Sequence, residues 1–237
     1  MRWVLLVILV LALPSISGVK VAFFLADPED YWSAALAYFN ADPRFDMVFF
    51  LGCGGLTPEL STFQSFDVVF YGGWTPYFNP ELFGDRLADY VDSGGHAVGI
   101  TLGMLAGLWT YGITGRWEEE GYCPYRRTLE DWCFFFDDLV IDNPEHPIFD
   151  GVGYVHDSCY RIYCELRAGA AELAHFSTTG GVAVNADQTA VGINIEGADL
   201  LHWTGDGYLI MANAACWLAA HSDVREMSWG RIKAEFE

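Results

Sequence analysis

Four short, almost wholly apolar runs, at residues 19–26, 47–51, 67–71 and 97–102, set the strongest limit on how this chain folds. A strand with one wet face alternates apolar and polar residues. A strand apolar throughout is buried on both faces, as in a parallel sheet covered by helices on each side. The intervening segments supply those helices. Asp27-Pro28-Glu29-Asp30 reads as an N-cap, a proline at the first helical position and acids in the first turn of a helix reaching about Asn40. Asn79-Pro80-Glu81 repeats that signature and opens a helix with Phe83, Leu87, Tyr90 and Val91 on one stripe, ended by Gly94-Gly95. A shorter helix is expected over 58–63. Each strand-to-strand connection should be a right-handed crossover.

Beyond residue 112 the regularity dissolves into an acid-rich, aromatic segment to about residue 155, read as an elaborated loop layer over one end of the sheet. Short strands follow at 173–176, 182–184 and 191–195, the last two forming a hairpin around Asn185-Ala186-Asp187-Gln188. Thr204-Gly205-Asp206-Gly207 precedes an apolar helix over 208–220, and 221–237 reads as a polar tail with a short helix at 229–236.

Residues 1–17 read as a secretory signal peptide. They hold one basic residue, Arg2, an apolar run over 3–13 that is short of the ~20 residues a membrane span needs, and Ser15-Ile16-Ser17 before a mature start near Gly18. The expectation is a secreted or periplasmic domain over 18–220 with no membrane span after cleavage. Acidic residues outnumber basic ones 32 to 12, giving a formal charge of −20 that repels phosphate backbones, so nucleic acid is excluded as a partner. The 52% hydrophobic content marks the acidity as a solvated surface rather than disorder.

The chain has 6 cysteines, which in an exported protein raises disulfides. Cys123 with Cys133 and Cys159 with Cys164 are the expected pairs. The offset within the second pair counts against it, because on one strand it turns the two side chains to opposite faces. Cys216 reads as a core residue.

Parallel sheets bind ligands outside the carboxyl ends of their strands. Gly99-Ile100-Thr101-Leu102-Gly103-Met104 forms the turn at the end of the fourth run, with Thr101 read as its apex. This stretch resembles the nucleophile elbow of class I glutamine amidotransferases, Gly-(Ile/Val)-Cys-Leu-Gly-(Met/His)-Gln, with Thr101 in place of the cysteine and Leu105 in place of the glutamine. Glu196, in Gly192-Ile193-Asn194-Ile195-Glu196-Gly197, stands where that family carries its catalytic histidine. The closer resemblance is to the trehalose-utilisation-type domains of the same superfamily. It is carried by Phe66-Asp67-Val68-Val69-Phe70, the helix end over 85–95, His146-Pro147-Ile148-Phe149-Asp150-Gly151-Val152, and the segment 203–214. It implies a flavodoxin-like three-layer α/β/α sandwich with a mainly parallel central sheet and an aromatic, acidic insertion.

The weak catalytic candidates are Thr101 with Glu196, a hydroxyl beside a carboxylate, and Cys53, a thiol between glycines at a strand exit. Trp74, Tyr77, Thr101, Trp109 and Glu196 form the ligand-binding set, since aromatic faces at a sheet end stack on a sugar ring. Between Glu118 and Asp157 only Arg126 and Arg127 oppose the carboxylates, which favours neutral sugars or cations over anions. The histidines show no metal-ligand spacing, so no metal and no cofactor is expected. The favoured function is a secreted, non-catalytic domain binding a neutral carbohydrate or a protein partner. The alternatives are a hydrolase with a non-standard nucleophile at the elbow and a structural cell-surface module.

Overall fold

The computed structural model describes residues 18–106, 112–134, 136–198 and 203–236 and, within them, all side chains but those of 129–134 and 222–236. In chain order the elements are β1 (Val19–Leu25), α1 (Ser33–Ala41), β2 (Phe45–Gly52), α2 (Leu60–Phe63), β3 (Val68–Gly73), α3 (Pro80–Asp92) and β4 (His96–Leu102). The insertion follows, with α4 (Arg116–Glu119), β5 (Tyr125–Phe134), β6 (Asp137–Asp138), β7 (Val140–Ile141) and β8 (Val155–Asp157). The chain ends with β9 (Tyr160–Leu166), β10 (Ala171–His175), β11 (Gly180–Val184), β12 (Ala190–Ile193), β13 (Trp203–Gly205) and α5 (Gly207–Phe236).

The central sheet has 8 strands in the order β2-β1-β3-β4-β12-β11-β10-β7. The first five are mutually parallel, and β11, β10 and β7 extend them through antiparallel pairings. Both faces are covered, as continuous apolarity requires. Successive residues of β1 enter two separate cores. Val21, Phe23 and Leu25 pack with Trp32, Phe39, Ile210 and Leu218 beneath α1 and α5. Ala22, Phe24 and Ala26 pack with Phe63, Phe83, Leu87 and Trp117 on the other side. Phe23 stacks on Phe70 at 4.5 Å and receives the edge of Phe39 at 5.0 Å. Each such buried ring contributes about 2–3 kcal/mol of transfer free energy. This is a three-layer α/β/α fold.

On the second face, over β11 and β12, the antiparallel ribbon β5–β9 takes the place of a helix. The Tyr125 ring lies so close to the sheet that a Cβ at Gly180 or Gly192 would come within 2.4 or 2.9 Å of it. The insertion therefore contributes an ordered strand, β5, packed on a face of the sheet.

Four expectations change. The Asp27-Pro28 signature opens a 3-10 turn, Glu29–Trp32, before α1 begins at Ser33, and no side chain caps that turn. The second apolar run forms β2, but at the sheet edge, with Met47 and Phe49 exposed at 48% and 38%. Helix α5 continues through the segment read as a tail, to Phe236. Cys123, Cys159 and Cys164 are not disulfide-bonded. Cys123 lies buried beside Tyr71, its thiol pushed up to about 12 by burial, while Cys159 precedes β9 and Cys164 lies within it. The Cys133 backbone pairs with Arg161, and its side chain lies outside the described residues. By contrast, the Asn79 cap forms as read, its carboxamide oxygen accepting from Leu82 N at 3.0 Å. Among the described residues no helix is long and apolar enough to cross a membrane.

Candidate functional site

The carboxyl ends of β1, β3, β4 and β12 meet at one edge of the sheet, so the residues at or just beyond those ends, Asp27, Trp74, Leu102 and Asn194, share that edge. The β4 turn is the tightest. Leu102 has φ 55°, the left-handed region a non-glycine residue enters only under strain. A nucleophile elbow places its reactive residue at such a position with the side chain exposed above the sheet. Here that position holds a leucine that is 4% exposed. The apex is Leu102, not Thr101.

Thr101, the residue before Leu102 in β4, is equally buried. Its hydroxyl donates to Asn194 Oδ1 at 2.9 Å. Asn194, completely buried, also accepts from Ile162 N at 3.0 Å and donates to Ile162 O and Gly180 O at 2.9 Å each. A neutral carboxamide takes no proton, so among the described residues the Thr101 hydroxyl bonds to no group that could serve as its base. The expected Thr101–Glu196 pair is not made.

Glu196 points instead to Trp74, accepting the indole N–H on Oε1 at 2.9 Å and the Ala198 backbone N–H on the same oxygen at 3.2 Å. The main chain of Trp74 is held from the other side by Asp27, whose carboxylate accepts from Trp74 N at 2.9 Å, from Thr75 N at 2.9 Å and from Trp32 Nε1 at 3.2 Å. Both carboxyls are 2% exposed. Burial raises the Asp27 carboxyl above its ordinary range, and the bonds from Trp74, Trp32 and Thr75 oppose this only in part. Tyr160, from the start of β9, sets its ring against the Trp74 indole at 4.9 Å and 73°. Trp74 and Tyr160 are both half-buried, so this aromatic corner keeps surface toward solvent.

The remaining candidates are used up by the fold. Cys53 is fully buried, its thiol lies 3.4 Å from Leu51 O, and burial pushes it well above the ordinary thiol range, the opposite of an activated nucleophile. Tyr77 is 4% exposed, and its hydroxyl accepts from Gly72 N at 2.8 Å while lying 3.1 Å from Phe24 O, so it braces β1 against β3. Trp109 lies outside the described residues. Among the described residues no group of three metal-ligating side chains converges.

Sequence reading named Trp74 and Glu196 but not their contact, and missed Asp27, Asn194 and Tyr160. The one available signal was for Asp27, which directly follows an apolar strand, where ligands and chemistry gather.

No known family model and no curated protein matches this chain. Solved structures do. A ThuA-like protein from Bacteroides uniformis superposes with a TM-score of 0.62 at 13% identity, over 87% of this chain and 94% of that one. A cytoplasmic protein from Salmonella typhimurium gives 0.61 at 12%, over 84% and 98%, and a second, from strain LT2, gives 0.56 at 13%, over 85% and 97%. At such identities the likeness concerns the fold alone: the chain shares the three-layer architecture of a ThuA-like protein, as the resemblance of its elbow and helix ends implied.

Proposed function

We propose that this protein is an exported, non-catalytic binding domain whose site is the aromatic corner formed by Trp74 and Tyr160 at the carboxyl edge of the sheet, and that its ligand is a neutral carbohydrate or similar polyol. The observation that carries the reading is the clamp on Trp74: Asp27 holds its backbone and Glu196 its indole N–H, fixing a half-buried ring at the edge where parallel sheets bind ligands. A ring held in place loses little freedom on stacking, which favours binding. The buried carboxyls of Asp27 and Glu196 next to it disfavour anions. Against a hydrolase stand the leucine at the strained turn and the carboxamide partner of Thr101.

The test is a glycan-binding screen followed by calorimetric titration of the best hit. Neutral oligosaccharides should bind, and Trp74→Ala and Tyr160→Ala should each weaken binding by about tenfold or more, with circular dichroism checking that each variant is folded. A best hit that is a polyanion, or one indifferent to Trp74, overturns the reading.

A further inference from the structure

We propose that the chain forms a symmetric dimer by pairing β2 with β2 of a second copy, antiparallel and edge to edge. The two edges of the central sheet are built differently. At one end β7 is only 2 residues long and lies between Asp137–Asp138 and Asp142, the short, charged form in which proteins blunt an edge against pairing. At the other end β2 is 8 residues long, has neither proline nor lysine, and among the described residues no strand lies along its outer side. Its single charged residue, Asp46, accepts the Gly18 backbone N–H at 2.7 Å and so belongs to its own chain's β1–β2 junction. Met47 and Phe49, two apart and hence on one face, are exposed at 48% and 38%.

The sequence of β2 suits a copy of itself. Antiparallel pairing about a two-fold axis keeps side chains in phase when the axis passes through Val48 or through Phe49. The first places Met47 opposite Phe49 of the other copy and Asp46 opposite Phe50. The second places Val48 opposite Phe50, Met47 opposite Leu51 and Asp46 opposite Gly52. In both, apolar side chains meet across the axis and the two Asp46 carboxylates stay apart, so the only charge in the strand does not oppose pairing. Joining β2 to β7 of another copy would instead give an open chain of molecules, and the acidic flanks of β7 disfavour it, so assembly closes at two. The formal charge of −20 on each copy repels at long range, so added salt should tighten the dimer by screening.

Sedimentation velocity of the purified protein at low and high salt tests this, alongside Met47→Lys and Phe49→Lys. The wild type should be a dimer at concentrations on the order of 10 µM, more completely at high salt, and each lysine should weaken self-association about tenfold or more. Phe49 also stacks on Phe66 of its own chain, whereas Met47 is the more exposed, so Met47→Lys separates loss of the interface from loss of the fold, with circular dichroism as the check. A wild type that stays monomeric at high salt and ten times that concentration, a dimer unaffected by both lysines, or assemblies larger than two each overturn the proposal.

Discussion

Thr101 gives its hydroxyl proton to the Asn194 carboxamide at 2.9 Å, and that carboxamide is already bonded to Ile162 on both its donor and its acceptor side. The hydroxyl at the elbow is thereby a structural group. The purified protein should release no ammonia from glutamine, and neither should Thr101→Cys, because a thiol in that place still faces a group that takes no proton. Glutamine-dependent ammonia release above the buffer blank by either protein would contradict this.

Asn194→Ala should be severely destabilising. It removes the Asn194 partner of Ile162 N, Gly180 O and the Thr101 hydroxyl, and one of the two partners of Ile162 O, in a completely buried setting. Even with partial relaxation the expected loss is about 3 kcal/mol. Urea unfolding followed by circular dichroism gives the value, and a loss below about 1 kcal/mol would mean that these groups find other partners.

The Asp27 carboxyl sets a pH dependence of known sign. Its folded-state pKa is raised by burial, so the folded protein holds this proton more tightly than the unfolded chain does. Its contribution to stability is most favourable below the unfolded-state value and declines as pH rises through the folded-state value. Asp27→Asn mimics the protonated side chain and removes that decline. The stability of the variant relative to wild type should therefore increase from acid to neutral pH, and parallel urea-midpoint curves for the two proteins would refute the assignment.

Gly84 lies in the middle of α3, where alanine ordinarily stabilises a helix by about 1 kcal/mol. Here the sign should reverse. A Cβ at Gly84 would sit 1.8 Å from the Thr114 carbonyl oxygen, a backbone atom at the foot of the insertion. Gly84→Ala should cost about 1–3 kcal/mol, read from the denaturant midpoint at unchanged slope.

Buried thiols should be silent while the protein is folded. Burial raises the pKa of both Cys53 and Cys123. Iodoacetamide near pH 8 should leave both unmodified in the native protein and label both in denaturant, as mass mapping of the peptides would show.

The parallel half of the fold was legible because β1, β3 and β4 are apolar along nearly all their length and α3 has an asparagine cap that forms as written. Apolarity alone did not tell an edge strand from a buried one, so β2 was read as internal although Met47 is half exposed. Asp27 was misread for a related reason: a carboxylate before Pro-Glu looks the same whether it caps the following turn or, as here, reaches the loop after β3. At the elbow a shift of one residue separates the strained Leu102 from Thr101, and the motif does not say which of the two carries the positive φ. The Trp74–Glu196 bond joins residues 122 apart, and only the topology brings them together. The ribbon β5–β9 was invisible to periodicity because its pairing shifts register between Arg127 and Trp132.

Ile162, in the middle of β9, is tied to the sheet from three directions: its N–H and C=O meet the Asn194 side chain, and its C=O also accepts the Thr179 hydroxyl at 2.7 Å. A segment anchored in this way does not open on its own. Its amide should exchange with solvent only through unfolding of the whole domain, at the same free energy as the amides of β4 and β12. The strand that carries Tyr160 to the side of Trp74 is thus part of the cooperative unit and not a hinged cover, and a ligand arriving at that corner meets walls already in place.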